Sequence, residues 1–116
     1  MTVQEFYEIA GGGFDEMVAT FGSADVVKTF LKIFKRDTNF EKLKSALEAG
    51  NIDEAFVAVH TLKGVVLNLN LKGLKPFVID ITEALRAKDL ASAKAQFPAM
   101  ESMFTCVRAA LDELLK

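Results

Sequence analysis

The chain contains a single histidine, His60, followed by Lys63 three residues later and by Gly64 directly after that lysine. A neutral imidazole nitrogen is nucleophilic near neutral pH, so a histidine accepts a phosphoryl group readily and releases it again. The ammonium group of Lys63, one helical turn along, would neutralise the charge of that group. Glycine inside a helix costs about 0.5–1 kcal/mol relative to alanine, and a helix that accepts this cost often needs close approach of another molecule. These residue types at this spacing indicate a site for reversible phosphoryl transfer.

Each of the three residues also has an ordinary structural interpretation. An isolated histidine on a helix is more often a surface residue or one that hydrogen-bonds a neighbour. A lone lysine is usually a solvated charge, and Gly64 would also permit close packing of a neighbouring helix. The residues around the histidine must therefore be considered with it.

The helix that carries His60 is predicted to have two distinct faces. His60 and Gly64 lie well away from its apolar stripe, whereas Phe56, Val57 and Leu67 are apolar residues outside that stripe. Such residues indicate either a protein-docking face or a helix that is buried more deeply than its stripe suggests. The stripe recurs at three- and four-residue steps, as a bundle core requires, and consists of Ala55, Ala58, Val59, Leu62, Val66 and Leu69.

Apolar residues follow helical spacing along almost the whole chain, which predicts five or six helices and no strand. Two short helices, at about Val3–Ala10 and Phe14–Phe21, are separated by residues 11–13 (GGG). We interpret this triplet as a flexible joint, because the Lys-Ser or Lys-Thr of a P-loop does not follow it. Ser23 caps the next helix. The apolar side of that helix is predicted to be Val26, Val27, Phe30, Leu31, Ile33 and Phe34.

Capping signals mark the ends of the later helices. Gly50 suits a left-handed C-terminal cap, and Asn51 with Glu54 forms a plausible capping box for the helix that carries His60. Asp89 is the predicted N-cap of a long last helix, in which Pro98 predicts either a kink or a split into two helices.

Short joints between consecutive helices favour antiparallel neighbours. We therefore expect an all-α protein, an up-and-down antiparallel four-helix bundle with a short N-terminal helical extension. A length of 116 residues indicates one domain, 1–116, with residues 1–22 as the extension and residues 24–115 as the bundle.

Composition argues against several classes of function. The net charge of −2, without a basic block, does not suit generic nucleic-acid binding. No apolar run approaches the roughly 20 residues of a membrane-spanning helix. The single Cys106 lies in an apolar helical stretch and is predicted to be a buried, inert thiol, which fits a reduced cytoplasmic setting.

Two classes of enzyme site also lack support. With one histidine and one cysteine far apart, and without an E-x-x-H pattern, a metal site is not expected. A serine hydrolase of the elbow type would need G-x-S-x-G, which the sequence does not contain.

Residues 60–64 (HTLKG) resemble the H-x-L-K-G signature of histidine-containing phosphotransfer (HPt) domains. Residues 68–71 (NLNL) are similar to the N-L-G stretch of that family, and residues 83–86 (EALR) resemble its E-A-x-R segment. The similarity extends from about Phe30 to Leu111. Asn70 stands where the family usually has glycine, but asparagine is the next best residue for a left-handed turn.

The resemblance implies that His60 is the phosphorylated residue, Lys63 its charge partner and Gly64 the position that leaves clearance beside it. It also implies that a receiver domain, in a response regulator or a hybrid histidine kinase, brings both the aspartyl phosphate and Mg²⁺. This chain would then bind no cofactor or metal and would need no catalytic machinery of its own. We expect a cytoplasmic monomer. The alternative is a helical bundle that binds partners through the face around Phe56 and Leu67 and is never phosphorylated.

Overall fold

The helical spacing of the apolar residues is realised as seven α-helices in the computed structural model, which describes residues 1–116 and contains no strand. The predicted all-helical class is confirmed, with seven helices rather than five or six. They are α1 (Val3–Ile9), α2 (Phe14–Phe21), α3 (Ala24–Lys35), α4 (Asn39–Ala49), α5 (Ile52–Asn68), α6 (Lys75–Arg86) and α7 (Leu90–Leu114).

Local signals fix both ends of α5, the helix that carries His60. Gly50 ends α4 with φ of 70°, a conformation that glycine adopts at little steric cost. The Asn51 side chain then accepts a hydrogen bond from the Glu54 N–H at 3.1 Å. The other half of the predicted capping box does not form, because the Asn51 N–H donates to the Ala46 carbonyl at 2.9 Å. Beyond the far end of α5, Asn70 adopts the left-handed conformation, with φ of 54°.

The last helix begins where the sequence predicts and continues through its proline. The Asp89 side chain accepts a hydrogen bond from the Ser92 N–H at 3.0 Å and caps the first turn of α7. The helix is unbroken from Leu90 to Leu114 with Pro98 inside it, so the predicted split does not occur.

Cys106 is exposed on α7, and the prediction of a buried thiol is wrong. Phe104, Val107 and Leu111, at three- and four-residue steps, occupy the core positions of this part of the helix. On the helical wheel these three residues lie within an arc of about 60°, and Cys106 lies at least about 100° away from each of them, so it faces solvent.

Consecutive helices from α4 to α7 pack against each other in chain order, and α7 also contacts α4. The N-terminal helices complete the assembly, since α1 and α3 contact α7 and α2 contacts both α1 and α3. The observed architecture is a helical bundle. The contacts among α4 to α7 are those that an up-and-down order of these four helices requires.

The buried residues identify which predicted apolar faces are core. All six residues predicted for the stripe of α5 are buried, so that helix is oriented as its periodicity indicates. The wide apolar side predicted for α3 is only half correct. Val26, Phe30 and Ile33 are exposed by 41%, 38% and 62%. Helix α3 packs against α1, α2 and α7, which cover only the side that carries Val27, Leu31 and Phe34.

The segment before α3 is fastened to the turn that follows α5. The buried Tyr7 hydroxyl donates to the Leu69 carbonyl at 2.7 Å, and the Gly73 N–H donates to the Ala10 carbonyl at 2.7 Å. A Cβ at Gly11 would lie 2.5 Å from the Gly73 nitrogen, and Gly11 has φ of +112°. A Cβ at Gly13 would also collide with the Asn70 side chain. The interpretation of this triplet as a flexible joint is therefore wrong, because two of its three glycines permit close packing.

Removing the Tyr7 hydroxyl tests whether this attachment stabilises the fold. Tyr7→Phe keeps the buried ring but leaves the Leu69 carbonyl without this donor, which we expect to lower the free energy of unfolding by about 1–3 kcal/mol. Urea denaturation followed by circular dichroism measures the change. A midpoint equal to that of the wild type would show that the N-terminal segment contributes no stability through this bond.

Candidate functional site around His60

The outward side of α5 is a continuous exposed stripe at three- and four-residue steps. It runs through Asp53, Val57, His60, Gly64 and Leu67, all of which are exposed. Val57 is 64% exposed and Leu67 is 44% exposed. The structure thus places His60 in the open, with one apolar side chain on each side of it along the helix.

The His60 ring lies against a side-chain stack that joins α5 to α6. The Phe56 ring is half-buried, and its centroid is 5.6 Å from that of the imidazole at an interplanar angle of 32°. The Arg86 guanidinium lies over the Phe56 ring, 5.2 Å from its centroid, and Nε of Arg86 donates to Glu83 Oε2 at 3.2 Å. A cation–π contact at an exposed site of this kind contributes about 0.5–1 kcal/mol. Phe56 therefore supports the imidazole from one side more than it offers a surface of its own.

Arg86 belongs to this arrangement, although it is not among the site residues predicted from the sequence. The available signal was the E-A-x-R segment, in which Arg86 is the last residue. Spacing within α5 gives no indication of a side chain that reaches over from α6, so only the packing of the two helices reveals it.

Lys63 is half-buried one turn after His60 and takes part in none of the six ion pairs of the structure. It also makes no side-chain hydrogen bond. Its ammonium group has no carboxylate within 4.0 Å, and it is therefore free to meet an anion that arrives at the neighbouring imidazole.

Gly64 faces open space. A Cβ added at this position would meet no atom within 4 Å, apart from its own helix. The interpretation that Gly64 allows a neighbouring helix to pack closely is therefore excluded. Because helix propensity also disfavours glycine, the fold itself gives no reason for this residue.

Two depressions border the stripe at its apolar members. Val57 and Thr61 line an open groove of about 1030 Å³ between α4 and α5. Leu67 lines a second depression, of about 580 Å³, together with Phe21 of α2 and Phe30 of α3. The three predicted docking residues thus do not form one patch: Val57 and Leu67 flank His60 on the surface, whereas Phe56 lies to one side and partly beneath it.

No group of three or more His, Cys, Asp or Glu side chains is arranged to hold a metal ion. No helix is both long and apolar enough to cross a membrane.

The chain was compared with models of protein families. The family model described as Hpt domain matches residues 31–116, which is more than half of the chain and includes the whole of α5 with His60. No curated protein and no solved structure matches the chain. Hpt domains carry phosphate on histidine in phosphorelays, act as phosphocarriers rather than enzymes, and interact with receiver domains. This chain belongs to the Hpt domain family.

Proposed function

We propose that this protein is a phosphoryl carrier that accepts phosphate on His60 from the aspartyl phosphate of a receiver domain and passes it on or back. The observation that carries the proposal is the exposed imidazole in a chain that belongs to the Hpt family, with an unpaired ammonium and open space beside it. The direction of flow depends on which receiver is phosphorylated, because both transfers use the same open ring.

The transfer would proceed by attack of an unprotonated ring nitrogen of His60 on the phosphorus atom. The new P–N bond forms as the P–O bond to the aspartyl carboxylate breaks, and that carboxylate leaves with the electron pair. The receiver would supply Mg²⁺, and this chain would bind no cofactor. Positioning and charge stabilisation account for most catalysis in phosphoryl transfer, so a partner-borne ion and an oriented ring suffice.

Each side chain around the ring would have a separate role in the transfer. Phe56, held under Arg86, limits the orientations of the imidazole. Lys63 neutralises charge on the phosphoryl oxygens, and Gly64 leaves room for a loop of the receiver. The exposed Val57 and Leu67 offer apolar contact on both sides of the reacting ring.

Lys63→Gln tests the role of the ammonium group. We expect transfer to slow by roughly 10- to 100-fold, because a hydrogen bond to a charged group contributes about 1.5–3 kcal/mol and each 1.4 kcal/mol is a factor of ten. Rapid-quench measurement of phosphate transfer gives the rate. Lys94→Gln is the matched control, since Lys94 is an exposed lysine on α7 that forms no ion pair, and it should transfer at the wild-type rate. Equal rates for the two variants would remove Lys63 from the site.

Incubation with radiolabelled, phosphorylated receiver domains tests the proposed function. Label should move to this chain and should be acid-labile, as a phosphoramidate is. If no label moves from any of several receivers, the alternative of an interaction module that is never phosphorylated replaces the carrier. The proposal also includes an up-and-down order of α4 to α7, a monomeric state and a cytoplasmic setting.

A further inference from the structure

An exposed apolar surface continues from Leu67 onto α3. Phe30 and Ile33 are 38% and 62% exposed, and Leu67 is 44% exposed. The Phe21 and Phe30 rings lie against each other, with centroids 4.7 Å apart. We call these four residues, Phe21, Phe30, Ile33 and Leu67, the Phe30 patch. Contiguous exposed apolar side chains of this kind are typical of protein-binding surfaces.

The surface of the Phe30 patch is not flat, because two depressions lie beside the Phe30 ring. Phe30 lies between two depressions: one of about 580 Å³, which Phe21 and Leu67 also line, and one of about 460 Å³, which Ile33 and Arg36 also line. A partner that presents apolar side chains on both sides of the Phe30 ring would fill both depressions. Side chains that fill well-packed pockets near the centre of an interface often dominate the binding energy.

The position of the patch ties it to His60. Leu67 is seven residues after His60 on the same exposed stripe, which corresponds to about 10 Å along the helix axis. A standard protein interface buries about 800 Å² on each partner, equivalent to a disc about 30 Å across. A receiver domain centred on His60 would therefore cover Leu67 and reach the depression that Leu67 shares with Phe21 and Phe30.

The rim of the patch carries charges of both signs. Glu16 is paired with Lys72 at 2.6 Å, and the Asp37 carboxylate accepts hydrogen bonds from Asn39 at 2.9–3.1 Å. Arg36 is exposed, and neither Arg36 nor Asp37 belongs to an ion pair. An apolar centre with a polar, mixed-charge rim is the usual composition of a protein-binding surface.

The patch also draws on a part of the chain that the family match does not include. The match begins at residue 31, whereas Phe21 and Phe30 precede it. The hydrogen bond from Tyr7 to Leu69 and the ion pair between Glu16 and Lys72 hold this segment against the end of the His60 helix. The two rings are therefore a fixed feature next to the site rather than a loose appendage.

We propose that the Phe30 patch distinguishes one receiver domain from another, by seating apolar side chains of the matching receiver next to its phosphorylation site. The proposal rests on the proposed function, since it takes the partner to be a receiver domain. His60 and its neighbours on α5 would serve every receiver, and residues of α2 and α3 would set the preference among them.

Binding titrations with a panel of unphosphorylated receiver domains test the proposal independently of phosphate transfer. Phe30→Gln and Ile33→Gln should each raise the Kd of the best-binding receiver about tenfold, with smaller changes for weakly bound receivers. Val26→Gln is the matched control, because Val26 lies on the same helix, is 41% exposed and lines neither depression. Its Kd should stay within about twofold of the wild-type value. Ile33 is the most exposed residue of the patch, so Ile33→Gln should remain folded and still test the patch if Phe30→Gln does not fold.

Equal Kd values for the wild type and both patch variants would overturn the proposal, even if His60 is phosphorylated normally. A uniform loss across all receivers would overturn partner selection as well. A wild-type chain that dimerises in sedimentation equilibrium, with Ile33→Gln monomeric, would assign the patch to a second copy and would also contradict us. Failure of phosphate transfer with receiver binding intact would instead count against the proposed function alone.

Discussion

Replacing His60 with glutamine is expected to abolish phosphate uptake from every receiver domain while leaving the bundle folded. The chain has one histidine, so no second imidazole can substitute for it. The side chain is exposed and makes no hydrogen bond within the fold. Its loss should therefore change the free energy of unfolding by no more than about 0.5 kcal/mol, as is usual for surface positions. Labelled transfer and thermal unfolding of the same preparation measure the two effects together.

The neighbouring Thr61 offers a control for this experiment. Its hydroxyl is exposed and donates to the Val57 carbonyl at 2.8 Å, which makes it the hydroxyl next in sequence to the imidazole. Thr61→Ala should accept phosphate as the wild type does. Label that survives in His60→Gln would refute the assignment of the site, and acid-stable label there would indicate a hydroxyl such as that of Thr61.

Substitution of Gly64 is expected to move stability and transfer in opposite directions. Because no atom lies within 4 Å of the added Cβ, Gly64→Ala should stabilise the protein by about 0.5–1 kcal/mol through helix propensity alone. Transfer should nevertheless slow, and Gly64→Gln should slow it further, by roughly 10- to 100-fold. A displacement of about 1 Å between reacting groups is enough for an effect of that size.

The same side chain placed elsewhere controls for its general effects. Ala95→Gln adds a glutamine side chain to an exposed position of α7, far from the stripe on α5. It should leave the transfer rate unchanged. If Gly64→Gln transfers phosphate at the wild-type rate, no partner approaches this position. The glycine would then have neither a structural nor a functional explanation.

The orientation of the His60 helix could be predicted from sequence because its signals are local. The three- and four-residue spacing of its apolar residues depends on helical geometry alone, and every residue of the predicted stripe is buried. Its boundaries follow from Gly50 and Asn51, whose backbone and side-chain preferences act within one turn. The exposure of His60 follows from the same geometry.

Features that depend on contacts between distant segments could not be predicted in this way. The apolar residues of α3 do not reveal which of them a neighbouring helix covers, so Phe30 and Ile33 were assigned to the apolar side although they are exposed. The residues 11–13 (GGG) resemble a flexible joint until the turn near Gly73 is seen to pack against them. Arg86 reaches the site only because α6 lies beside α5.

The most direct test of the central claim is ¹⁵N NMR of the imidazole while a phosphorylated receiver domain is added. The single histidine gives one pair of ring nitrogen signals, so no assignment between residues is needed. The account predicts that the ¹⁵N signal of one of the two ring nitrogens shifts to the position of a phosphoramidate nitrogen. The ³¹P signal of the receiver's aspartyl phosphate should disappear at the same rate. An unchanged imidazole spectrum while the receiver loses its phosphate to this chain would contradict the assignment of His60 as the phosphate carrier.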